Sequence, residues 1–184
     1  IILLHGWGAD ADDLLSIGKA IIHNSCFKFD LISLRAPTIR PGNVGRQWYS
    51  LFPPDWNEAE SSVDKLLDTL KAFDKSKISL EKTVLLGFSQ GAAMALDAGL
   101  RLDLGLVISC SGYFHPKWDP LKNNPVLLSH GLQDEVVPIN ASREISIRLK
   151  NKGNFNNELH EYNCSHTIHS DFIRVIRLKI KELF

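Results

Sequence analysis

The sequence predicts a single α/β domain: a mostly parallel central sheet with helices on both faces. Three observations lead there. Short apolar runs alternate with longer amphipathic stretches along the whole chain. Most of the apolar runs are continuous rather than interleaved with polar residues, as expected of strands covered on both sides. The β–α alternation, with no interdomain linker or internal repeat, returns each strand beside a parallel neighbour. At 184 residues the chain has the length of one domain with one sizeable core, spanning 1–184.

The expected strands are Ile1–Leu4, Phe29–Leu34, Thr83–Leu86, Leu104–Cys110, Val126–Ser129 and Asn157–Tyr162. A chain that opens on Ile1-Ile2-Leu3-Leu4 begins inside a buried strand, so the first strands of the fold are expected to precede residue 1. Five helices are expected. Asp12–Asn24 carries Leu14, Leu15, Ile17 and Ile21 at helical spacing, and Asn57–Phe73 repeats Val63, Leu66, Leu67, Leu70 and Phe73. Gln90–Leu100 is rich in alanine. Asn140–Lys152 opens on an expected Asn cap and stops before Gly153, and Ser170–Phe184 places Phe172, Ile173, Ile176 and Ile180 on one face. The long irregular stretch is Ala36–Trp56, which holds Pro37, Pro41, Gly42, Gly45, Pro53 and Pro54 together with Trp48, Tyr49, Leu51, Phe52 and Trp56. A loop of that length is either functional or occupied in packing its own aromatics.

Lysine plus arginine equals aspartate plus glutamate, 21 of each, so no basic stripe points to nucleic acid or to a membrane surface. Cys26, Cys110 and Cys164 are odd in number and lack metal or redox spacing, and read as reduced thiols of a cytoplasmic protein. No apolar run reaches the ~18 residues that a membrane span needs.

The chemistry starts at Gly87-Phe88-Ser89-Gln90-Gly91, a G-x-S-x-G pattern. It follows the apolar run Val84-Leu85-Leu86 and precedes the Ala-rich helix, which is the strand–turn–helix setting that such a turn needs. The turn strains the serine backbone and lifts its hydroxyl above the sheet edge, while the flanking glycines let strand and helix pass closely. Ser89 is therefore the candidate nucleophile. It needs a base, and the base needs an acid to orient it. Asp134 stands just past the end of the Val126–Ser129 strand, with Glu135 as the alternative acid. His160, His166 and His169 follow. His160 falls within a strand and is set aside; the loop residue His166 is the expected base, with His169, at or near a helix start, as the alternative. No HExxH or Cys/His set supports a metal. Backbone N–H groups of Gln90, after the nucleophile, and of Trp7, in the turn His5-Gly6-Trp7-Gly8, are the expected oxyanion donors. That glycine-rich turn lacks both a P-loop lysine and G-x-G-x-x-G spacing, so it is not read as a phosphate cradle.

These segments, with His130-Gly131-Leu132-Gln133-Asp134-Glu135-Val136-Val137-Pro138, Ser165-His166-Thr167-Ile168 and Gln47-Trp48-Tyr49-Ser50-Leu51, resemble the phospholipase/carboxylesterase family, which includes small bacterial carboxylesterases and acyl-protein thioesterases. The resemblance runs over essentially the whole chain and keeps the motif order. It implies an α/β-hydrolase fold without a large cap domain and hydrolysis of carboxylic esters or thioesters. It also implies no metal or organic cofactor, Ser89, Asp134 and His166 as triad, Trp7 and Gln90 as oxyanion donors, and Trp48 and Tyr49 at the substrate. The chain departs from the family at Ser165, where a glycine is usual, at Trp7, where leucine is common, and at Ser50, where an aspartate often stands. The expected partner is a small ester or thioester substrate, lysophospholipids among the candidates, handled by a monomer or homodimer without nucleic acid or stable membrane insertion. Two other readings compete. One is dienelactone hydrolase-like lactone opening, which normally uses cysteine where Ser89 stands. The other is a catalytically silent binding protein on the same scaffold, against which the intact Ser/Asp/His set argues. Pocket shape is expected to rest on Trp7, on Trp48-Tyr49, and on the Ser111–Asn124 loop with Tyr113, Phe114 and Trp118.

Overall fold

In a computed structural model, which describes residues 1–40, 42, 45–76 and 78–184, six parallel strands form the central sheet. They are β1 (Ile2–Leu4), β2 (Ile32–Leu34), β5 (Val84–Phe88), β6 (Leu106–Cys110), β7 (Val126–Gly131) and β8 (Asn157–Tyr162), in the order β2-β1-β5-β6-β7-β8. Strands β3 (Thr38–Ile39) and β4 (Arg46–Gln47) make a small antiparallel pair outside it. The helices are α1 (Leu15–Ile22), α2 (Trp56–Lys75), α3 (Gln90–Gly99), α4 (Asn140–Asn151) and α5 (Ser170–Leu183). This is the α/β-hydrolase arrangement anticipated from the sequence, and among the described residues no separate cap domain stands over the sheet.

The pleat divides the core cleanly. Ile2, Leu4, Leu85, Val107, Val126 and Leu128 pack on one face against α2, α3 and α4, through residues such as Val63, Leu70, Met94, Leu96, Ile145 and Leu149. Their alternates Ile1, Leu3, Val84, Leu86, Leu106, Ile108 and Leu127 pack on the other, against Leu14 and Ile21 of the α1 region and Phe172, Ile176 and Ile180 of α5. Adjacent strands β1 and β5 therefore send their following helices to opposite faces. That divergence opens a crevice at their C-terminal ends, where α/β sheets place their sites.

Several boundaries moved. Helix α1 starts at Leu15 instead of Asp12, because Asp13 N–H bonds to Asp10 O (3.1 Å) and Asp10 Oδ1 takes the Ala11 N–H (2.6 Å), fixing a turn there. Asn140 is not the cap of α4 but its first residue. Ile139 is already near helical (φ −50°, ψ −30°), and Pro138 O accepts the Ala141 N–H at 2.9 Å. The stretch from Ala36 to Trp56 contains the β3–β4 pair rather than being wholly irregular; Pro41 within it lies outside the described residues. Among the described residues no helix is long and apolar enough to cross a membrane.

Candidate active site

Ser89 joins β5 to α3 with φ +53° and ψ −116°. A non-glycine residue takes that backbone only when its surroundings enforce it. Here Ser89 N–H donates to Cys110 O of β6 (2.9 Å), and Ser89 O receives the Ala92 N–H (3.0 Å). The flanking glycines are required by contact. A Cβ on Gly87 would overlap Gly91 O and Ala92 Cα, and a Cβ on Gly91 would overlap the carbonyls of Leu4 and His5. The Ser89 turn is thus wedged against the end of β1, where Gly6 comes close enough that an added Cβ would lie 3.4 Å from Ser89 Cβ.

Asp134 and His166 come from the β7–β8 end of the sheet. Asp134 lies three residues beyond β7, with its carboxylate out of solvent. Its Oδ1 accepts the N–H groups of Val136 (2.9 Å) and Val137 (2.8 Å), and its Oδ2 accepts His166 Nδ1–H at 2.7 Å. Burial works to raise the carboxyl pKa, but the bonds from His166, Val137 and Val136 outweigh it and hold Asp134 below the ordinary carboxylate value. His166 keeps 18% of its side chain exposed, and its ring lies tilted on the Phe88 ring at 4.8 Å, beside the residue that precedes Ser89. The loop bearing it is fastened to the end of β7 by Leu132 N–H to Tyr162 O (2.7 Å) and Gln133 N–H to Cys164 O (3.0 Å). It crosses so close to Gly131 that a side chain there would strike Cys164 O and Ser165 O. His169 is elsewhere: it caps α5, accepts the Asp171 N–H (3.3 Å), and stacks on Tyr162. Glu135 is exposed.

The main chain supplies donors on the other side of Ser89. In the turn His5-Gly6-Trp7-Gly8 after β1, Gly8 N–H is taken by Arg46 O (2.8 Å) and Ala9 N–H by Gly6 O (3.4 Å). Among the described residues the N–H groups of Trp7 and Gln90 have no protein acceptor, and Gln90 sits in the first turn of α3, where N–H groups lack intrahelical partners. The same helix end favours a developing negative charge.

The residue 1–183 stretch matches the sequence profile of the phospholipase/carboxylesterase family. The chain belongs to that family. Its relatives include acyl-protein thioesterase 1 of Debaryomyces hansenii, 27% identical over 88% of this chain and 81% of that protein, and acyl-protein thioesterase 1 of Saccharomyces cerevisiae, 28% identical over 76% and 71%. Among solved structures, esterase PE8 superposes with a TM-score of 0.89 at 30% identity, covering 100% of this chain and 91% of that one. The Bacillus cereus carboxylesterase gives 0.83 at 20% identity, covering 100% and 87%, and speaks to the fold. As a family member the chain is a carboxylic ester hydrolase with the α/β-hydrolase fold.

Around these residues the structure of this phospholipase/carboxylesterase family member shows side-chain contacts that the sequence did not reveal. The Gln90 side chain, fully buried, bridges the aromatic segment: its Oε1 accepts Trp48 N–H (3.0 Å) and its Nε2 donates to Tyr49 O (2.8 Å). Trp48 and Tyr49, expected at the substrate, are 4% and 0% exposed and face inward. Trp48 Nε1 donates to His5 O (2.9 Å), tying this segment to the turn after β1. His5, whose pKa burial lowers, accepts Ala36 N–H at Nε2 (3.1 Å) and gives Nδ1–H to Gly6 O (2.8 Å), a pattern that requires the neutral ring. His130 braces Asp134: Nε2–H donates to Val137 O (2.7 Å) and reaches Asp134 Oδ2 at 3.3 Å, while Nδ1 accepts Ser142 Oγ–H (2.6 Å). A second buried Asp–His pair lies behind the site. Asp97 Oδ2 accepts His115 Nδ1–H (2.7 Å), His115 Nε2 is 3.1 Å from the Tyr49 hydroxyl, and that hydroxyl is 2.6 Å from that of Tyr113. One signal was available for it: Asp97 is a lone charge in the apolar helix α3, and a buried carboxylate demands a partner.

Proposed function

We propose that this chain cleaves carboxylic esters and thioesters through an acyl-enzyme on Ser89. The observation that carries the reading is the 2.7 Å Asp134–His166 hydrogen bond beside a left-handed serine at a helix N-terminus. His166 Nε2 takes the Ser89 proton as Oγ adds to the carbonyl carbon. Asp134 holds the ring with Nδ1–H outward to itself, so that Nε2 is free to accept, and stabilises the imidazolium that forms. The main-chain N–H groups of Trp7 and Gln90 hold the oxyanion; losing one such donor costs roughly 10²–10³ in rate. His166 then gives its proton to the departing alcohol or thiol. Water, losing a proton to His166, adds to the acyl carbon, and Ser89 leaves as the alcohol with its proton restored. The thioesterase names of the yeast relatives favour including thioesters among the substrates.

Hydrolysis of a short p-nitrophenyl ester tests this. The parent protein is expected to turn it over and Ser89→Ala to retain no serine-dependent turnover while keeping its thermal transition. Equal turnover by the two proteins would overturn the assignment.

A further inference from the structure

Helix α3 buries two polar side chains on one face. Gln90 at its start and Asp97 two turns on are seven residues apart, which puts them on the same side, about 10 Å apart along the axis. Both look outward from the helix for partners. Gln90 Nε2 donates to Tyr49 O (2.8 Å) and Oε1 accepts Trp48 N–H (3.0 Å). Asp97 Oδ1 accepts from Arg101 (2.6 Å), and Oδ2 accepts His115 Nδ1–H (2.7 Å). The other ring nitrogen of His115 is 3.1 Å from the Tyr49 hydroxyl. The bonds therefore close into a ring: Gln90 to Tyr49, Tyr49 to His115, His115 to Asp97, and back to Gln90 along the helix. A carboxylate only accepts, so Nδ1 of His115 carries the hydrogen and Nε2 of the neutral ring takes Tyr49 O–H. The Tyr49 oxygen in turn accepts Tyr113 O–H at 2.6 Å.

This ring meets the Ser89 site at two points. Gln90 follows Ser89, and its main-chain N–H is one of the two donors assigned to the oxyanion. Trp48 Nε1 donates to His5 O (2.9 Å), two residues before Trp7, the source of the other. His5 O in turn lies against the first turn of α3, where a Cβ on Gly91 would strike it. The Trp48-Tyr49 segment thus stands between the two donors. It lies outside any strand or helix, just past β4, and side chains hold it: Gln90 and His115 from the α3 side, and Ser62 of α2 through Trp48 O (2.6 Å). We propose that His115 is a positioning residue: through the Tyr49 hydroxyl it fixes the Trp48-Tyr49 segment, and with it the spacing of the Trp7 and Gln90 N–H groups about the oxyanion. It acts through Tyr49 and not by contact with the substrate. The proposal rests on the acyl-enzyme reading above.

The test is steady-state hydrolysis of a short p-nitrophenyl ester by the parent, Tyr49→Phe, His115→Gln and His115→Asn. Ile176→Val, in the core on the opposite face of the sheet, serves as a merely destabilised reference. Tyr49→Phe keeps the ring and removes the link. Its kcat is expected to fall between roughly tenfold and a hundredfold, with KM within about twofold, because a displaced contact to the transition state shows in kcat. Affinity for a trifluoromethyl ketone, whose hemiketal oxyanion would use the same donors, should fall in step. Glutamine carries its amide where Nε2 of His115 lies and can still accept Tyr49 O–H; asparagine carries it where Nδ1 lies and serves only Asp97. His115→Gln should therefore keep more kcat than His115→Asn, whereas a role confined to satisfying Asp97 gives the reverse. Amide NMR shifts of Trp7 and Gln90, expected to move in Tyr49→Phe and to stay in Ile176→Val, read the positioning without catalysis. A folded Tyr49→Phe with the parental kcat, a loss that Ile176→Val reproduces, or His115→Asn more active than His115→Gln would overturn the proposal. If the parent turns over no ester, the acyl-enzyme reading fails and the shifts alone decide: moved, His115 positions these N–H groups; unmoved, it does not.

Discussion

Replacing Asp134 by Asn removes a charge and keeps the shape, and the surroundings decide which way the amide points. Oδ1 of Asp134 accepts two main-chain N–H groups, from Val136 and Val137. An amide must put its oxygen there, which turns its NH₂ toward His166 Nδ1. The ring is then held as the tautomer with hydrogen on Nε2, unable to take the Ser89 proton. Flipping the amide to restore an acceptor for His166 would face NH₂ against both N–H groups and forfeit two hydrogen bonds to a polar acceptor, at least about 3 kcal/mol together. The productive orientation is therefore populated at under roughly one part in a hundred, since 1.36 kcal/mol is a factor of ten. Loss of the carboxylate beside the imidazolium adds to this, so kcat should fall by about 10²–10⁴. The assay is steady-state ester hydrolysis, with circular dichroism to show that the variant folds. A folded Asp134→Asn within tenfold of the parent would refute the reasoning.

Gln90→Leu should act through the side chain while leaving the main-chain donor in place. It strands Trp48 N–H and Tyr49 O inside the protein, and two unsatisfied groups cost about 2–4 kcal/mol, read as a fall in the urea midpoint; an unchanged midpoint would contradict the bridging role. Asp97→Asn should destabilise in a pH-dependent way. Burial raises the Asp97 carboxyl pKa, but His115 and Arg101 outweigh it, leaving it depressed. A depressed carboxylate contributes stability that is present above its unfolded pKa of about 3.9 and is lost as pH falls through the folded value. The parent–variant difference in unfolding free energy should be about 3 kcal/mol near pH 7 and shrink below about pH 4; a difference constant from pH 7 to pH 3 would contradict the ion pair's contribution.

The sheet was legible because its strands are buried on both sides and so write continuous apolar runs, and the left-handed turn at Ser89 because its motif lies between such a run and an Ala-rich helix. The helix ends were less so. Asp12 and Asn140 look like starts, but the turn held by Asp10 and the early helical geometry at Ile139 set the true ones. Strands of two residues, such as Thr38–Ile39 and Arg46–Gln47, carry no period to read. The inward facing of Trp48 and Tyr49 could not be read either, because a loop has no repeating face. Their burial follows from partners 42 and 66 residues away in sequence, Gln90 and His115. In the same way β4 meets the turn after β1 through bonds across 37 and 38 residues, Arg46 N–H to Ala9 O and Gly8 N–H to Arg46 O, each 2.8 Å.

The central claim is that Ser89 is the activated nucleophile. Intact-mass measurement after treatment with a fluorophosphonate probe tests it most directly. The account predicts one adduct per chain, located on Ser89 by peptide mapping, absent from Ser89→Ala, and formed at least ten times more slowly in Asp134→Asn, in line with the loss expected when the base cannot take the proton. An adduct on another residue, or none on a folded parent protein, would contradict it.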